Sequence, residues 1–452
     1  MKEHGYKLSK LGELTNINNG HLSGFLRGNP LRVLTINQLD SITKIFGEMP
    51  GWLYDLYIDE CFPKGRVSRR RLCPYLIRCA EIGRYDCVKS VVSRLLDNSK
   101  NIDIIYFVAE KLFQQRKRRE SIYFYQVVIE NEKNSYSERF IMSQYRLFRA
   151  LQGTNTEENW NAVIRFEPYW RRLSEAYQLD ALLQLANTCY TLHKWQEVEK
   201  YADSLIELST LIYRNEKNKR KSHKESELFN TERHLVVYYG QGFLLKSIAL
   251  QKQEMYVEAK EYVRRYADLG WFEFSDDVSQ KEIENFRICA KANMFTLELL
   301  LGNTSVLDEY VEYLKNHPSE IHAGLLTILE SANKHKITID EVLENFIDEI
   351  QSFDDYQNNI SIDRHFALMY ELAIYRFRNG QFKSGIDTLL NCLALSHITN
   401  NNKNFKRCVA LLESYRILVT DCQDKEYKKI IEEVLKDEDI FTFTMFNPWI
   451  VR

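Results

Sequence analysis

The chain has little glycine and little proline. Only 17 of its 452 residues are glycine and 7 are proline, whereas average usage is about 7% and 5%. This argues against folds built on many tight turns, such as β-sandwiches and barrels, and against folds with glycine-rich nucleotide-binding loops. Hydrophobic residues make up 44% of the chain and charged residues 27%. These fractions are typical of a globular protein and exclude global disorder.

The chain also lacks an excess of charge of either sign. Its 61 lysines and arginines nearly balance its 63 aspartates and glutamates, so any contact with nucleic acid must be local. No stretch approaches the roughly 18 apolar residues of a membrane span, and the N-terminus, MKEHGYKLSKLGELTN, has no apolar signal region. We therefore expect a cytoplasmic protein without a membrane partner.

Cysteine occurs without paired spacing. The nine cysteines are scattered and include no C-x-x-C pair. Most stand among apolar residues, as Cys189 does in LANTCYTL. This pattern favours reduced core residues over disulfides or metal ligands, and we expect neither a metal nor another cofactor.

Sequence signatures of enzymes are also missing. The chain contains no G-x-x-x-x-G-K-[ST] loop and no H-E-x-x-H motif, and its ten histidines are dispersed. Tyr239-Gly240-Gln241-Gly242 is a bare G-x-G within a helical pattern, without a preceding strand. We therefore do not expect an enzyme.

What the chain does contain is a recurring helical pattern. In AIYRFRNGQFKSGIDTLLNCLAL, apolar residues follow helical spacing on both sides of Gly380, which predicts two antiparallel helices. Small residues (Ala373, Gly385 and Cys392) stand where such helices must approach closely. Comparable offsets recur in PYLIRCAEIGRYDCVKSVVSRLL, FVAEKLFQQRKRRESIYFYQVVI, LANTCYTLHKWQEVEKYADSLIEL and IALQKQEMYVEAKEYVRRYADL.

This spacing resembles the tetratricopeptide repeat, a helix–turn–helix unit of about 34 residues. Weaker helix pairs are predicted at 135–171, 279–316, 319–351 and 404–437. The resemblance implies an all-α fold in which about nine pairs, from near residue 67 to 437, form a right-handed α-solenoid. An irregular all-α bundle is the alternative.

Two local sequence signals accompany this pattern: one marks the start of a helix, and the other interrupts the repeats. Thr338-x-x-Glu341 looks like a capping box that opens a helix. The basic segment 214–232, RNEKNKRKSHKESELFNTE, is too long for a repeat turn. It favours a solvated loop, with a nucleic-acid contact as the alternative.

The first fifty residues have a different organisation. Residues 7–14 and 18–26 are predicted to be short helices, joined by a corner at Thr15-Asn16-Ile17 in which Asn16 tolerates a left-handed conformation. Asn18 is a favourable N-cap, and Thr35-x-x-Gln38 resembles a capping box that opens a third helix. Leu11, Ile17, Leu22, Leu26, Leu39, Ile42 and Phe46 are expected to supply the core.

This stretch resembles the XRE-type helix-turn-helix of bacterial and phage repressors. The matching pieces are Leu11-Gly12, Asn16-Ile17-Asn18 and Leu22-Ser23 with Leu26-x-Gly28. The resemblance implies that the second helix reads the DNA major groove. It assigns the base-facing positions to Asn18, Asn19, His21 and Ser23, and candidate phosphate contacts to Lys7 and Arg27. The alternative is that these helices merely cap the repeats.

A basic stretch, PKGRVSRRR, spans residues 63–71 and joins the two parts. It is compatible with a contact along the DNA backbone and equally with a solvated connector. We place the domain boundary here, with a helix-turn-helix domain and linker at 1–66 and a repeat domain at 67–452.

The combination of the two parts resembles the peptide-pheromone receptors of Gram-positive bacteria and their phages, the PlcR-, PrgX-, NprR- and Rgg-type regulators and the arbitrium receptors. The resemblance implies a quorum-sensing transcription regulator that binds a near-palindromic operator in double-stranded DNA. It also implies that a short signalling peptide binds in the concave groove of the repeats. In this register the groove positions are Asn187, Tyr190, Thr191, Gln241, Gln251, Tyr370 and Arg378.

The resemblance further implies a homodimer. The apolar C-terminal segment FTFTMFNPWIVR, residues 441–452, is a candidate dimer contact, and the alternative is that it folds back to cap the last repeat. The alternative function is a tetratricopeptide-type scaffold that binds a response regulator or another protein and carries a vestigial helix-turn-helix.

Overall fold

The computed structural model describes residues 6–27, 33–153, 155–221, 231–273, 276–351, 359–399 and 401–437. Within these ranges the regular structure is helical and no strand occurs. The predicted all-α fold class is therefore confirmed.

Twenty-three α-helices are present in the described residues. The first twelve are α1 Leu8–Thr15, α2 Asn19–Arg27, α3 Ile36–Ile45, α4 Tyr54–Tyr57, α5 Arg69–Glu81, α6 Tyr85–Leu96, α7 Ile102–Gln114, α8 Arg118–Asn131, α9 Glu138–Leu151, α10 Thr156–Phe166, α11 Glu175–Thr191 and α12 Trp195–Lys221. The remainder are α13 Leu235–Lys252, α14 Tyr256–Ala267, α15 Asp277–Leu300, α16 Leu307–Asn316, α17 Ile321–His335, α18 Asp340–Asn345, α19 Ile347–Gln351, α20 Asn359–Arg378, α21 Phe382–Ile398, α22 Asn402–Ser414 and α23 Asp421–Asp437. Short 3₁₀ segments occur between several of them, at Ile58–Cys61, Pro63–Gly65, Ser99–Asn101, Glu167–Arg172, Thr304–Val306, Pro318–Glu320 and Arg416–Leu418.

The chain divides into two compact units, Met1–Leu245 and Lys246–Arg452. The helices of the five clearest predicted pairs are all present, as α5 and α6, α7 and α8, α11 and α12, α13 and α14, and α20 and α21. The candidate dimer segment 441–452 lies outside the described residues.

The turns of these five pairs share one backbone geometry. In each, the residue two positions before the second helix has a positive φ: Gly83 75°, Arg116 64°, His193 54°, Glu254 62° and Gly380 74°. The next residue donates its N–H to a carbonyl five positions earlier, as Arg84 does to Cys79 at 2.9 Å and Gln381 to Arg376 at 2.9 Å. This is the hydrogen-bond pattern of a Schellman turn, which satisfies carbonyls that a helix end would otherwise leave unpaired.

Small residues lie where paired helices approach closely. A Cβ built on Gly385 in α21 would stand 2.8 Å from the Phe377 ring of α20. Within the first unit, a Cβ on Gly242 in α13 would stand 2.8 Å from Ile206 Cγ1 of α12. Both distances are shorter than carbon–carbon van der Waals contact, so these positions require glycine unless the neighbouring side chain moves.

The first unit begins with a core that joins the N-terminal helices to the first helix pairs. Buried residues of α1 to α3, such as Leu11 and Leu39, belong to the same apolar cluster as Leu72 of α5 and Val108 of α7. The Tyr75 hydroxyl of α5 donates to the backbone carbonyl of Tyr54 at 3.0 Å. The N-terminal helices are therefore packed directly on the pairs that follow them.

The second unit has two neighbouring apolar clusters. One surrounds α15 to α20 and contains Leu314, Leu329 and Leu368. The other surrounds α20 to α23 and contains Ala373, Leu389 and Ile430. Both are built from the apolar faces of successive helices, as the sequence periodicity predicts.

Three local predictions are wrong. Helix α12 continues through Lys221, so residues 214–221 are helical rather than a loop; their composition favours helix, and Lys219 Nζ pairs with Glu216 at 2.8 Å. Helix α18 has Ile339 rather than Thr338 at its N-cap, and isoleucine has no side-chain acceptor for a cap; the N–H of Ile339 donates to the Tyr375 hydroxyl. Leu26 is 59% exposed at the end of α2, while Leu34 is buried in the same core.

The cysteines follow the sequence prediction more closely. Seven of the nine are buried, Cys289 is half-buried and Cys422 is exposed, and none forms a disulfide. Burial raises the pKa of the Cys189 thiol to about 12 and of Cys408 to about 12. The buried thiols are therefore protonated core residues near neutral pH.

Candidate functional site

The corner between α1 and α2 has the left-handed residue that the sequence predicts. Asn16 adopts φ 54° and ψ 33°. The N–H of Ile17 donates to the Gly12 carbonyl at 3.1 Å, so this corner closes with the same backbone bond as the turns of the helix pairs. Ile17 and Leu22 are buried beneath it.

Gly12 is the point of closest approach in this corner. A Cβ added there would stand 2.1 Å from Asn19 Oδ1 and 2.9 Å from the Ile17 carbonyl oxygen. The absence of a side chain lets the start of α2 lie directly against α1. The amide of Asn19 is thereby placed beside α1, although the residue as a whole is exposed.

The predicted base-facing residues differ in the hydrogen bonds that their side chains already form within the protein. Asn18 caps α2, since its Oδ1 accepts the N–H groups of Gly20 at 2.8 Å and His21 at 3.3 Å. The His21 ring nitrogen Nε2 lies 3.3 Å from the Val33 carbonyl oxygen. Asn19 is exposed and Ser23 is half-buried. Asn18 and His21 therefore also serve the local structure of α2, and the amide of Asn19, although exposed, lies beside Gly12 of α1.

The predicted phosphate contacts lie at the ends of these helices. Lys7 immediately precedes α1 and Arg27 is the last residue of α2, and both are exposed. No acidic residue occurs in the first turn of α2. The positive end of the helix dipole makes the N-terminal end of α2 favourable for an anion, whereas Arg27 lies at its opposite end.

Helix α3 is held against the helix pairs by a chain of charges. The predicted capping box is confirmed: Gln38 N–H donates to Thr35 Oγ1 at 3.3 Å, and Thr35 N–H donates to Gln38 Oε1 at 2.9 Å. Further along α3, Asp40 pairs with Arg78 of α5 at 2.8 Å. Arg78 in turn pairs with Glu81 at 3.0 Å, and Glu81 pairs with Lys117.

The basic stretch 63–71 is partly structured and partly engaged. Its last three residues open α5. Arg71 pairs with Glu60 at 3.2 Å, and Arg69 pairs with Asp103 of α7. Lys64, Arg66 and Arg70 are exposed, and they are the members of this stretch best placed to meet an external anion.

The peptide-binding candidates of the first unit lie mainly on α11. Asn187 and Thr191 are exposed, and the Thr191 hydroxyl donates to the Thr188 carbonyl at 2.8 Å. Tyr190 is half-buried and packs edge-to-face on Trp195, with ring centroids 5.7 Å apart. One turn of α11 thus brings these three residues together. Gln241 is half-buried on α13.

In the second unit, two of the remaining candidates, Tyr370 and Arg378, are held by contacts with other residues of the protein. Tyr370 stacks on Phe366 at 5.9 Å between centroids, and the Arg407 guanidinium lies 4.4 Å from its ring centroid. Arg378 donates to the carbonyl oxygens of Ala332 and Ile337 near the end of α17. Gln251 is half-buried near the end of α13. Arg378 therefore ties α20 to α17 and has little freedom to meet a ligand.

Comparison with models of known protein families and with curated proteins gives no match. Among the described residues, no helix combines the length and apolarity needed to cross a bilayer.

A buried polar network in the first unit was not predicted from the sequence. Arg149 of α9 donates to Asp180 of α11 at 2.8 Å and to Glu232 at 2.8 Å, and the Tyr145 hydroxyl donates to the same Asp180 carboxylate. The side chains of Arg149 and Asp180 are only 7% and 2% exposed. Burial raises the pKa of Asp180, and the positive charge of Arg149 opposes that rise.

A groove in the second unit was also not predicted. It has a volume of about 890 Å³ and is bounded by α18, α19, α20 and α21. Its apolar lining includes Ile347 and Ile398, and its polar lining includes three carboxylates (Asp340, Glu344 and Asp387) and the guanidinium of Arg376. Burial lowers the pKa of His365, which also lines the groove, to about 4. His365 is therefore neutral near pH 7.

Within the part of the chain that the structure describes, one acidic cluster has ligand atoms close enough to hold a metal. Asp55, Asp86 and Cys87 place such atoms within 4.8 Å of one another. Arg84 lies among them, however, and donates to Asp55 at 2.8 Å and Asp86 at 2.7 Å. The guanidinium already supplies the positive charge, so an ion-pair cluster accounts for this arrangement.

Proposed function

We propose that the chain is a transcriptional regulator that binds double-stranded DNA through α1 and α2, as an XRE-type helix-turn-helix. The observation that carries the proposal is the left-handed corner at Asn16, which joins two short helices around the buried side chains of Leu11, Ile17 and Leu22. The second helix begins with exposed polar residues and no acidic residue in its first turn. These are the requirements for a helix that enters the major groove by its N-terminal end.

We further propose that the helix pairs form a right-handed, tetratricopeptide-like solenoid that senses a short peptide. The five equivalent turns support a repeat origin for the pairs. The exposed amide of Asn187 offers both a donor and acceptors to a peptide backbone. An extended peptide of six to eight residues spans about 20–28 Å, a length that requires several repeats.

The DNA proposal is tested by selecting bound duplexes from a random-sequence library with the full chain. We expect enrichment of a near-palindromic sequence, since a dimer reads a two-fold site. Asn19→Ala should weaken binding to that sequence by about 1–3 kcal/mol and relax selectivity at one base position. Arg27→Ala should weaken binding to all duplexes alike. It should also reduce the slope of log affinity against log salt concentration by about one, because one fewer counterion is released.

Lys44→Ala is the matched control, because Lys44 is an exposed cation in the last turn of α3 rather than on α2. It should leave both affinity and selectivity unchanged. A selection that enriches no sequence would contradict the DNA proposal and favour a protein-binding scaffold.

The peptide proposal is tested by calorimetry with six- to eight-residue peptides encoded beside the gene. Asn187→Ala should lower peptide affinity by about 1–3 kcal/mol if its amide pairs with peptide backbone. Asn218→Ala, an exposed amide on α12, is the control. Peptide and operator must alter each other's affinity by the same factor. A peptide that binds free and operator-bound protein equally would show that it is not the signal.

A further inference from the structure

One turn between paired helices carries an unusual concentration of positive charge. Between α7 and α8, four consecutive residues are cations: Arg116, Lys117, Arg118 and Arg119. We call residues 116–119 the basic turn. The equivalent four residues of the other four turns contain at most one lysine or arginine each, in the ranges 83–86, 193–196, 254–257 and 380–383.

The geometry of the turn does not account for these charges. Arg116 occupies the left-handed position, which holds glycine, histidine or glutamate in the equivalent turns. The first residue of the second helix is aromatic in the other four pairs, whereas in α8 it is Arg118. Cations in the first turn of a helix also lie at the positive end of its dipole, which is unfavourable. Neither the turn nor the helix therefore requires arginines here.

Three of the four side chains in the basic turn face solvent. Arg116, Arg118 and Arg119 are exposed. The guanidinium of Arg118 lies 5.5 Å from the Phe113 ring centroid, so this side chain has a contact within the protein. Within the described residues, no ion pair involves Arg116 or Arg119. The charges of these two arginines are therefore available to an external anion.

Lys117 connects the basic turn to the N-terminal helices. It pairs with Glu81 of α5, which also pairs with Arg78. Arg78 in turn pairs with Asp40 of α3. The basic turn is thus three ion pairs away from α3, and both belong to the first compact unit. With Glu81 and the neighbouring Glu120 counted against its four cations, the basic turn keeps a net positive charge.

Double-stranded DNA has the charge and the length to meet these arginines. A duplex carries one negative charge per about 1.7 Å of its axis, and the planar guanidinium of arginine matches the geometry of phosphate oxygens. One helical turn of duplex is about 34 Å long. A duplex that is held by α2 therefore continues well past the N-terminal helices, and its flanking backbone can meet cations that lie three ion pairs from α3.

We propose that the basic turn, through Arg116 and Arg119, contacts the phosphate backbone of DNA that flanks the site read by α2. This inference rests on the proposed DNA binding and extends the DNA-contacting surface to the first helix pairs. The contact touches no base, so it adds affinity without sequence selectivity.

The salt dependence of binding to a random-sequence duplex of about four helical turns tests this contact with the full chain and without a known operator. In the double variant Arg116→Gln with Arg119→Gln, the slope of log affinity against log salt concentration should fall by about two, because two fewer counterions are released. Affinity at about 0.1 M salt should fall at least about fivefold. Arg116→Lys with Arg119→Lys keeps both charges and should retain the slope of the parent protein.

Lys133→Gln with Arg165→Gln is the matched control, because it removes two exposed cations from the same unit. Lys133 follows the end of α8 and Arg165 lies in the last turn of α10, so both are distant along their helices from the basic turn. This control should leave the slope unchanged. An equal fall in its slope, or an unchanged slope in Arg116→Gln with Arg119→Gln, would overturn the proposal. Unchanged circular dichroism excludes unfolding as the cause of weaker binding.

Selection of duplexes from a random-sequence library separates this proposal from base reading by α2. The glutamine double variant should enrich the same sequence as the parent protein, and a different sequence would overturn a contact confined to the backbone. If the parent protein enriches no sequence but the slope still falls in the double variant, base reading by α2 is wrong and the phosphate contact is supported. If a sequence is enriched and the slope does not change, only the contact of the basic turn is wrong. No binding of any duplex would overturn both.

Discussion

Replacing Arg149 by methionine should strongly destabilise the first unit. The side chain is only 7% exposed, and its partner Asp180 is 2% exposed. Methionine fills a similar space but leaves the Asp180 carboxylate buried without its cation. Breaking a buried pair in this way costs about 3–5 kcal/mol. Loss of the contact with Glu232 adds little, because that side chain is 52% exposed.

The effect should be largely reversed by removing the other charge. In the double variant Arg149→Met with Asp180→Asn, no charge remains buried and the Tyr145 hydroxyl still has an oxygen acceptor at position 180. The midpoint temperature of thermal unfolding of the first unit should fall by about 6–20 °C in Arg149→Met. It should fall by much less in the double variant. Lys200→Met, which breaks a 49% exposed pair with Glu167, should cost less than about 1 kcal/mol.

The pH dependence gives an independent check. Burial raises the pKa of Asp180 even when Arg149 is present, and removing the arginine should raise it further. A carboxyl group whose pKa is higher in the folded than in the unfolded state favours folding when protonated, and this contribution is lost as pH rises through the folded-state pKa. Arg149→Met should therefore regain stability relative to the parent protein as pH falls from 7 towards 5.

Two results would refute this reasoning. If the double variant is as unstable as Arg149→Met, the loss comes from packing rather than from an unpaired charge. If the difference between Arg149→Met and the parent is independent of pH, the buried carboxylate is not the source of the instability.

Two further predictions concern backbone conformation. Arg116→Gly should stabilise the protein by about 0.5–1 kcal/mol, and Gly380→Ala should destabilise it by about 1 kcal/mol. Both positions have positive φ, and glycine adopts that conformation without a Cβ clash. A lower thermal midpoint in Arg116→Gly or a higher one in Gly380→Ala would contradict the turn geometry. Asn18→Ala should cost about 1 kcal/mol through loss of the α2 cap, and Asn18→Ser should retain most of it; amide exchange in α2 measures this, and equal exchange in the two variants would remove the capping role.

The sequence was most informative where structure is determined locally. The five clear helix pairs, the corner at Asn16 and the capping box at Thr35 follow from periodicity and from the preferences of single residues. The helix near Thr338 instead has Ile339 at its N-cap, and the N–H of Ile339 donates to the Tyr375 hydroxyl. Such a partner, 36 residues away, leaves no local signal.

The candidate sites show the same limit. Asn187 is exposed, as a ligand-binding residue must be, but Arg378 is held by two backbone carbonyls of another segment. The network of Arg149, Asp180 and Glu232 joins residues 31 and 83 positions apart. In the sequence Arg149 and Asp180 are charged residues in helical patterns and Glu232 ends the basic segment 214–232, so the pairing could not be predicted.

The shared turn of the helix pairs accepts different side chains at its left-handed position. Glycine occupies the left-handed position in two of the five turns, and arginine, histidine and glutamate occupy it in the others. The closing hydrogen bonds join backbone atoms alone, so no particular side chain encodes the turn. Substitution there changes stability by a small increment and leaves the path of the chain unaltered. The positions of the helices and turns are thus set by the spacing of residues along the chain, and they can be kept while the side chains at the turns change.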